Sequence, residues 1–118
     1  MDGRTGVRRL ALKRGAIVTY AGGPYGKPRP AVIVQNDLAL TEPSSVTLCP
    51  ITTFAIPQTG DFRIPVSPDE HNGLQQESFI MSDKLITLPV QRIGPMIGNL
   101  DNSSMKRLAI ALRFWIDV

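Results

Sequence analysis

Along most of this chain the apolar residues come in short, β-branched runs, each cut off by Gly, Pro, Asn or Asp; near the end the spacing becomes helical. "GAIVTY" (15–20) predicts a first strand, followed by a loop over 21–28. "PAVIVQND" (30–37) is a continuous apolar run closing in a polar turn, the pattern of a buried central strand. "SVTLCPITT" (45–53) predicts the next strand, with Pro50 marking a bulge or the strand's end. "GDFRIPVSP" gives a short strand that Pro65 assigns to a sheet edge, and "PDEHNG" gives a turn. "ESFIMSDKLITL" reads as a longer strand, or as two pieces bent at Ser82–Asp83. "QRIGPMIGNL" reads as short and irregular, turning at Gly94–Pro95 and Gly98–Asn99. From Ser103 onward Met105, Leu108, Ala109, Leu112 and Ile116 recur at helical spacing, and Asp101, Asn102 or Ser103 can cap the start. Strands first and one amphipathic helix last predict a β-rich α+β domain, a small curved antiparallel sheet with a C-terminal helix packed on it.

Composition narrows the class. A chain of 118 residues forms one domain with a real core, and 42% hydrophobic with 19% charged residues is ordinary for a soluble globular protein. No apolar run approaches the ~20 residues of a membrane span. At the start, only Leu10, Ala11 and Leu12 follow the paired arginines, too few for the ~7–15-residue apolar region of a secretory signal. The expectation is a cytoplasmic protein with a basic leader over 1–12 and a single domain over 13–118. The lone Cys49 can form no internal disulfide, which agrees with a reducing compartment. Net charge is +3, but Arg4, Arg8, Arg9, Lys13 and Arg14 crowd the beginning, so any polyanion site on the body must be local.

Chemistry candidates are few. Asp69, Glu70 and His71 are consecutive, so their side chains diverge, and no second His or Cys cluster completes a metal shell; a polar turn accounts for them, and no metal or cofactor is expected. A Cys49–His71 nucleophile pair meets the objection that Cys49 lies in an apolar strand, where buried thiols are inert. "GGPYGK" is neither a phosphate loop nor a dinucleotide fingerprint. What remains is polar groups at strand ends: Arg29, held between Pro28 and Pro30; Thr52 and Thr53; and Ser78, Asp83 and Lys84. On one rim, a planar, permanently charged guanidinium beside hydroxyls and a lysine suits a phosphodiester. The plainer reading makes Arg29 a surface arginine bridging loop and sheet, and Thr52 a β-former whose hydroxyl bonds a turn.

Taken in order, "LKRGAIVTY", "GKPRPAVIVQND", "VTLCPITT", "NGLQQESFIMSDKLITL" and "RIGPMIGNLDNSSMKRLAIAL" resemble the successive blocks of the MazF/PemK toxins of bacterial toxin–antitoxin pairs, from about Leu12 to the C-terminus. The resemblance implies a small SH3-like β-barrel or curved sheet with a C-terminal helix, a homodimer, a cognate antitoxin partner, and metal-independent cleavage of single-stranded RNA. It carries a catalytic pair onto Arg29 and Thr52, and an acidic role used by some members onto Asp83. Met81 stands where some PemK-type enzymes have an arginine. Tyr25 and Lys27 replace the loop's glutamate and histidine of some relatives, and Lys27, Thr53, Ser78 and Lys84 join Tyr25 as candidate RNA contacts.

The implied chemistry is attack of the 2′-hydroxyl on the adjacent phosphorus, leaving a 2′,3′-cyclic phosphate and a 5′-hydroxyl. Arg29 would neutralise the transition state and donate a proton to the leaving oxygen, and Thr52 would bond a non-bridging oxygen. Unpaired bases would lie in a groove beside the rim, with Tyr25 or Phe54 as stacking surfaces. The competing resemblance is at the other end: "IALRFWIDV" is similar to the terminus of CcdB, a gyrase poison of the same architecture without nuclease activity. Trp115 is followed here by Ile116, Asp117 and Val118, a longer and more acidic ending, and packing alone is the alternative account of Phe114 and Trp115.

Overall fold

A computed structural model describes residues 12–21, 26–54 and 62–118. Its seven strands are β1 (Ala16–Ala21), β2 (Pro28–Ile33), β3 (Ser45–Thr52), β4 (Arg63–Val66), β5 (Ser78–Met81), β6 (Ile86–Pro89) and β7 (Ile93–Asn99), followed by helix α1 (Asn102–Ile116). The strands form an open antiparallel sheet in the order β4-β5-β3-β2-β1-β7, with β6 also on β3. The strand-rich pattern, the terminal helix and β4 as an edge strand follow the expectations, and Pro65 is exposed on that edge. All but the last residue of the expected 1–12 leader lies outside the described residues.

The alternation along the central strands gives each face of the sheet its own apolar cluster. Ile17, Val32, Cys49, Ile51 and Ile80 point to one face, where Leu108 and Ala111 of α1 cover them. Ala16, Val18, Tyr20, Ala31, Ile33, Val46 and Leu48 point to the other, closed by Leu40 and Val90 from the connecting segments. The helix starts where Asp101 Oδ2 accepts from the Ser104 N–H at 2.9 Å, and it ends at Asp117 in a left-handed conformation (φ 58°).

Pro50 ends nothing. It sits inside β3 at a change of partners: Ser45 to Leu48 pair with β6, and Ile51 and Thr52 pair with β5 on that same edge. A residue without an N–H is tolerated where one ladder stops and the next begins. The segment "ESFIMSDKLITL" is indeed two strands, separated by a 3-10 turn over Ser82–Lys84.

The turns expected in "QRIGPMIGNL" are not there: Ile93–Asn99 is an edge strand on β1, and the expected irregularity survives only as two register shifts in that ladder. Its glycines serve close approach rather than turns. A Cβ at Gly94 would lie 2.5 Å from Thr19 Oγ1, and one at Gly98 would lie 2.4 Å from the His71 carbonyl oxygen. The 70–73 turn presses on β7 there, with the Asn99 N–H donating to His71 O at 2.8 Å. Gly98→Ala therefore is expected to cost about 1–3 kcal/mol through backbone displacement, read as a lower urea midpoint at unchanged slope. Gly94→Ala meets a movable side chain first and is expected to cost less.

Candidate active site

The site is assembled by where β2 and β3 stop pairing. Their ladder runs from Ile33↔Leu48 to Ala31↔Pro50 and goes no further, while β2 continues outward on β1 alone. Pro28 and Pro30 lie in that outer stretch, where the missing donors leave no ladder for β3 to complete. Carrying the register two residues beyond Ala31↔Pro50 sets Arg29 across from Thr52. Arg29 also pairs with Tyr20 of β1, and Thr52 with Phe79 of β5. Antiparallel partners share a face, so Tyr20, Arg29, Thr52 and Phe79 project from the side of the sheet away from α1.

Arg29 is exposed, and its charge reaches Tyr20. Burial pushes the Tyr20 phenol above its ordinary value and the nearby Arg29 only partly offsets this, so Tyr20 stays neutral and does not compete with a phosphate for the guanidinium. Thr52 Oγ1 accepts from the Phe54 N–H at 3.1 Å. A hydroxyl whose oxygen is engaged in this way still has its own proton to donate. Lys27 and Thr53 are exposed beside these two residues in sequence. Tyr25 lies outside the described residues.

The β5 end is different. Ser78 is only 4% exposed and its hydroxyl donates to Gln76 O at 2.8 Å, so it has no surface to offer an RNA chain and is left out of the site. Asp83 accepts from Arg63 Nε at 2.7 Å and from Nη2 at 2.9 Å, a bidentate pair with side chains 11% and 7% exposed respectively. The Arg63 hydrogen bond is the main cause holding the Asp83 carboxyl below its ordinary range, against the opposing effect of burial. The 3-10 turn that carries Asp83 packs against α1, and Lys84 is exposed next to it.

Two arginines were invisible as site residues in the sequence. Arg63 has no local signal, because its partner is twenty positions away. Arg92 Nη2 donates to Ala21 O at 2.6 Å, across the ladder from Pro28, and so brings a second guanidinium to the end of β1 beside the rim. Elsewhere, Asp69 Oδ1 accepts from the His71 and Asn72 N–H groups, each at 2.8 Å, which makes 69–72 a turn. No group of three or more His, Cys, Asp or Glu able to hold a metal occurs among the described residues. Burial pushes the Cys49 thiol up to about 12, which keeps it protonated and unreactive. A cavity of about 540 Å³ lies on the helix side, between Arg63–Pro65 and Arg107, Ile110 and Phe114, away from the Arg29 rim. The rim itself is an open edge, suited to a long chain rather than an enclosed small molecule.

Comparison with known proteins agrees with this architecture. The family described as "PemK-like, MazF-like toxin of type II toxin-antitoxin system" matches residues 13–116. The chain is 35% identical over 109 residues to the "Probable endoribonuclease MazF" of Mycolicibacterium smegmatis, covering 91% of this chain and 98% of that protein. The solved Mycobacterium tuberculosis toxin MazF-mt6 is similar at 30% identity and a TM-score of 0.73, covering 86% of this chain and 97% of its own. An endoribonuclease from a mycobacterial species, solved in complex with its cognate antitoxin, shares the fold at 19% identity with a TM-score of 0.77, covering 92% and 97% of the two chains. With most of its length matched, this chain belongs to the PemK-like, MazF-like toxins of type II toxin–antitoxin systems.

Proposed function

We propose that this chain is the toxin of a toxin–antitoxin pair and an endoribonuclease that cuts single-stranded RNA, in the cytoplasm, as a homodimer of one domain over 13–118. The observation that supports this site is the β2–β3 register, which ends at Ala31↔Pro50 and, carried two residues further, sets Arg29 across from Thr52. The RNA 2′-oxygen attacks phosphorus and its proton passes to water; the bond to the 5′-oxygen breaks, and that oxygen takes a proton from water. Arg29, charged at any accessible pH, holds the non-bridging oxygens as negative charge builds. Thr52, its oxygen engaged by the Phe54 N–H, donates a hydrogen bond from its O–H to a non-bridging oxygen of the same phosphate. The nucleophile comes from the substrate, so the steps drawn here need only these side chains and water. An antitoxin would neutralise the enzyme by covering this face.

Asp83 takes a supporting part in this reading. A carboxylate locked on Arg63 and held below its ordinary range is a weak base, so it braces the β4–β5 end rather than moving protons. The gyrase-poison alternative has no support in the family match. Phe114 and Trp115, which that reading would use, pack on Phe62 with ring centroids at 6.4 and 5.1 Å.

The test is cleavage of a mixed single-stranded RNA in EDTA, with the fragment ends mapped. Cyclic-phosphate and 5′-hydroxyl ends that survive chelation are expected. Thr52→Val keeps the β-branched shape and removes the donor, and is expected to lower kcat by about 100- to 1,000-fold with KM little changed. Intact RNA alongside trapped gyrase–DNA complexes would overturn the proposal.

A further inference from the structure

We propose that Phe54 is the stacking surface for one unpaired base next to the scissile phosphate, and so a substrate-positioning residue that holds a base without choosing among bases; this rests on the RNA-cleaving reading above. Phe54 is 78% exposed. The other exposed aromatics among the described residues, Phe114 at 65% and Trp115 at 47%, lie against the Phe62 ring, stacked and tilted respectively. Phe54 has no ring contact of that kind among the described residues. An isolated exposed apolar residue is ordinary on a protein surface. Its attachment is what sets this one apart.

The Phe54 N–H donates to Thr52 Oγ1, the hydroxyl that faces the phosphate in the proposed reaction. The backbone of Phe54 is therefore tied to the reacting group by one hydrogen bond, and β3 anchors Thr52 in turn through its pairing with Phe79. A base adjoining a phosphate held by Arg29 and Thr52 lies within a side chain's reach of that backbone. Single-stranded RNA offers π-faces that must leave water or find a platform, and a phenyl ring without polar atoms accepts any base face. The same hydrogen bond couples the two events: a base seated on Phe54 steadies the turn that presents the Thr52 oxygen.

The experiment starts from the mapped cut and uses a short oligoribonucleotide spanning it, with a series in which each base near the cut is removed in turn to leave an abasic sugar. Phe54→Ala is expected to lower kcat/KM by about 5- to 150-fold, the range for loss of one stacked base, with the melting temperature unchanged because the ring is exposed. One abasic position is expected to cost the wild type a similar factor and to cost Phe54→Ala nothing more. Phe54→Trp is expected to restore cleavage, and its indole fluorescence to be quenched by an uncleavable analogue carrying a 2′-deoxy sugar at the cut. Equal kcat/KM for wild type and Phe54→Ala, or abasic losses that simply multiply with Phe54→Ala at every position, would overturn the inference while leaving the ribonuclease reading intact. A wild-type protein that cuts no RNA would overturn both.

Discussion

Replacing Arg29 with alanine is expected to lower kcat/KM for single-stranded RNA by about 1,000-fold or more and to leave the fold in place. The charge it supplies acts where a phosphorane forms, and arginines placed against transferring phosphoryl groups are worth about 10³–10⁵ in rate. The side chain is exposed, so the truncation buries nothing unpaired and opens no cavity; surface changes of this kind stay within about 0.5 kcal/mol. The backbone at that point is held from both sides, by Pro28 and Pro30 within β2 and by the β1 ladder through Tyr20 and Ala21. Arg29→Lys keeps the charge but not the fork, and is expected to recover only part of the loss. Steady-state kinetics with a thermal melt of each variant check this. A wild-type rate in Arg29→Ala would remove Arg29 from the mechanism.

Asp83→Ala is expected to have the largest effect on stability, about 3–5 kcal/mol, because it strands the Arg63 guanidinium with 7% of its side chain exposed. That is a large share of the ~5–15 kcal/mol that holds a domain together, and it should lower the melting temperature by on the order of 10 °C. Replacing both partners by apolar residues, Arg63→Met with Asp83→Leu, is expected to cost less than Asp83→Ala alone. The pair also sets an acid dependence. The Asp83 carboxyl is lowered in the folded state, so its contribution is full above the unfolded carboxylate value near ~4 and is lost as pH falls through the lower folded value. Melting temperatures between pH 2 and 6 are expected to fall more steeply in acid for the wild type than for Asp83→Asn. Parallel curves would show that Asp83 does not titrate as this pairing requires.

Much of the candidate site was legible from residue order. "RP" and "PIT" marked Arg29 and Thr52 through resemblance, and the strand-end positions of both were readable from the β-branched runs they border. Ser78 was misplaced because its position, at the head of a strand, said nothing about which way its hydroxyl turns; in the fold it satisfies Gln76 O. Asp83 was marked as an acid by position, but its state depends on Arg63, which comes from another strand. The glycines at 94 and 98 looked like turns because glycine is ambiguous between a left-handed corner and a close approach. Their role as close approach comes from Thr19 and from the 71–72 backbone, which the local sequence does not contain.

The sequence by itself determined the period of most segments, and with it five or six short β-forming runs and the capped terminal helix. These are local properties, written in the spacing of apolar side chains and in where Pro, Gly and Asp interrupt them. Tertiary structure alone decided that β3 exchanges β6 for β5 at Pro50, that β7 closes one edge of the sheet, that Arg63 grips Asp83, and that the β2–β3 ladder stops at Ala31↔Pro50, two residues short of Arg29 and Thr52. Register and edge pairing join residues far apart along the chain. They are set by which apolar faces can be buried together and which backbone donors remain to be matched, a condition on the whole sheet that no single stretch of sequence can express.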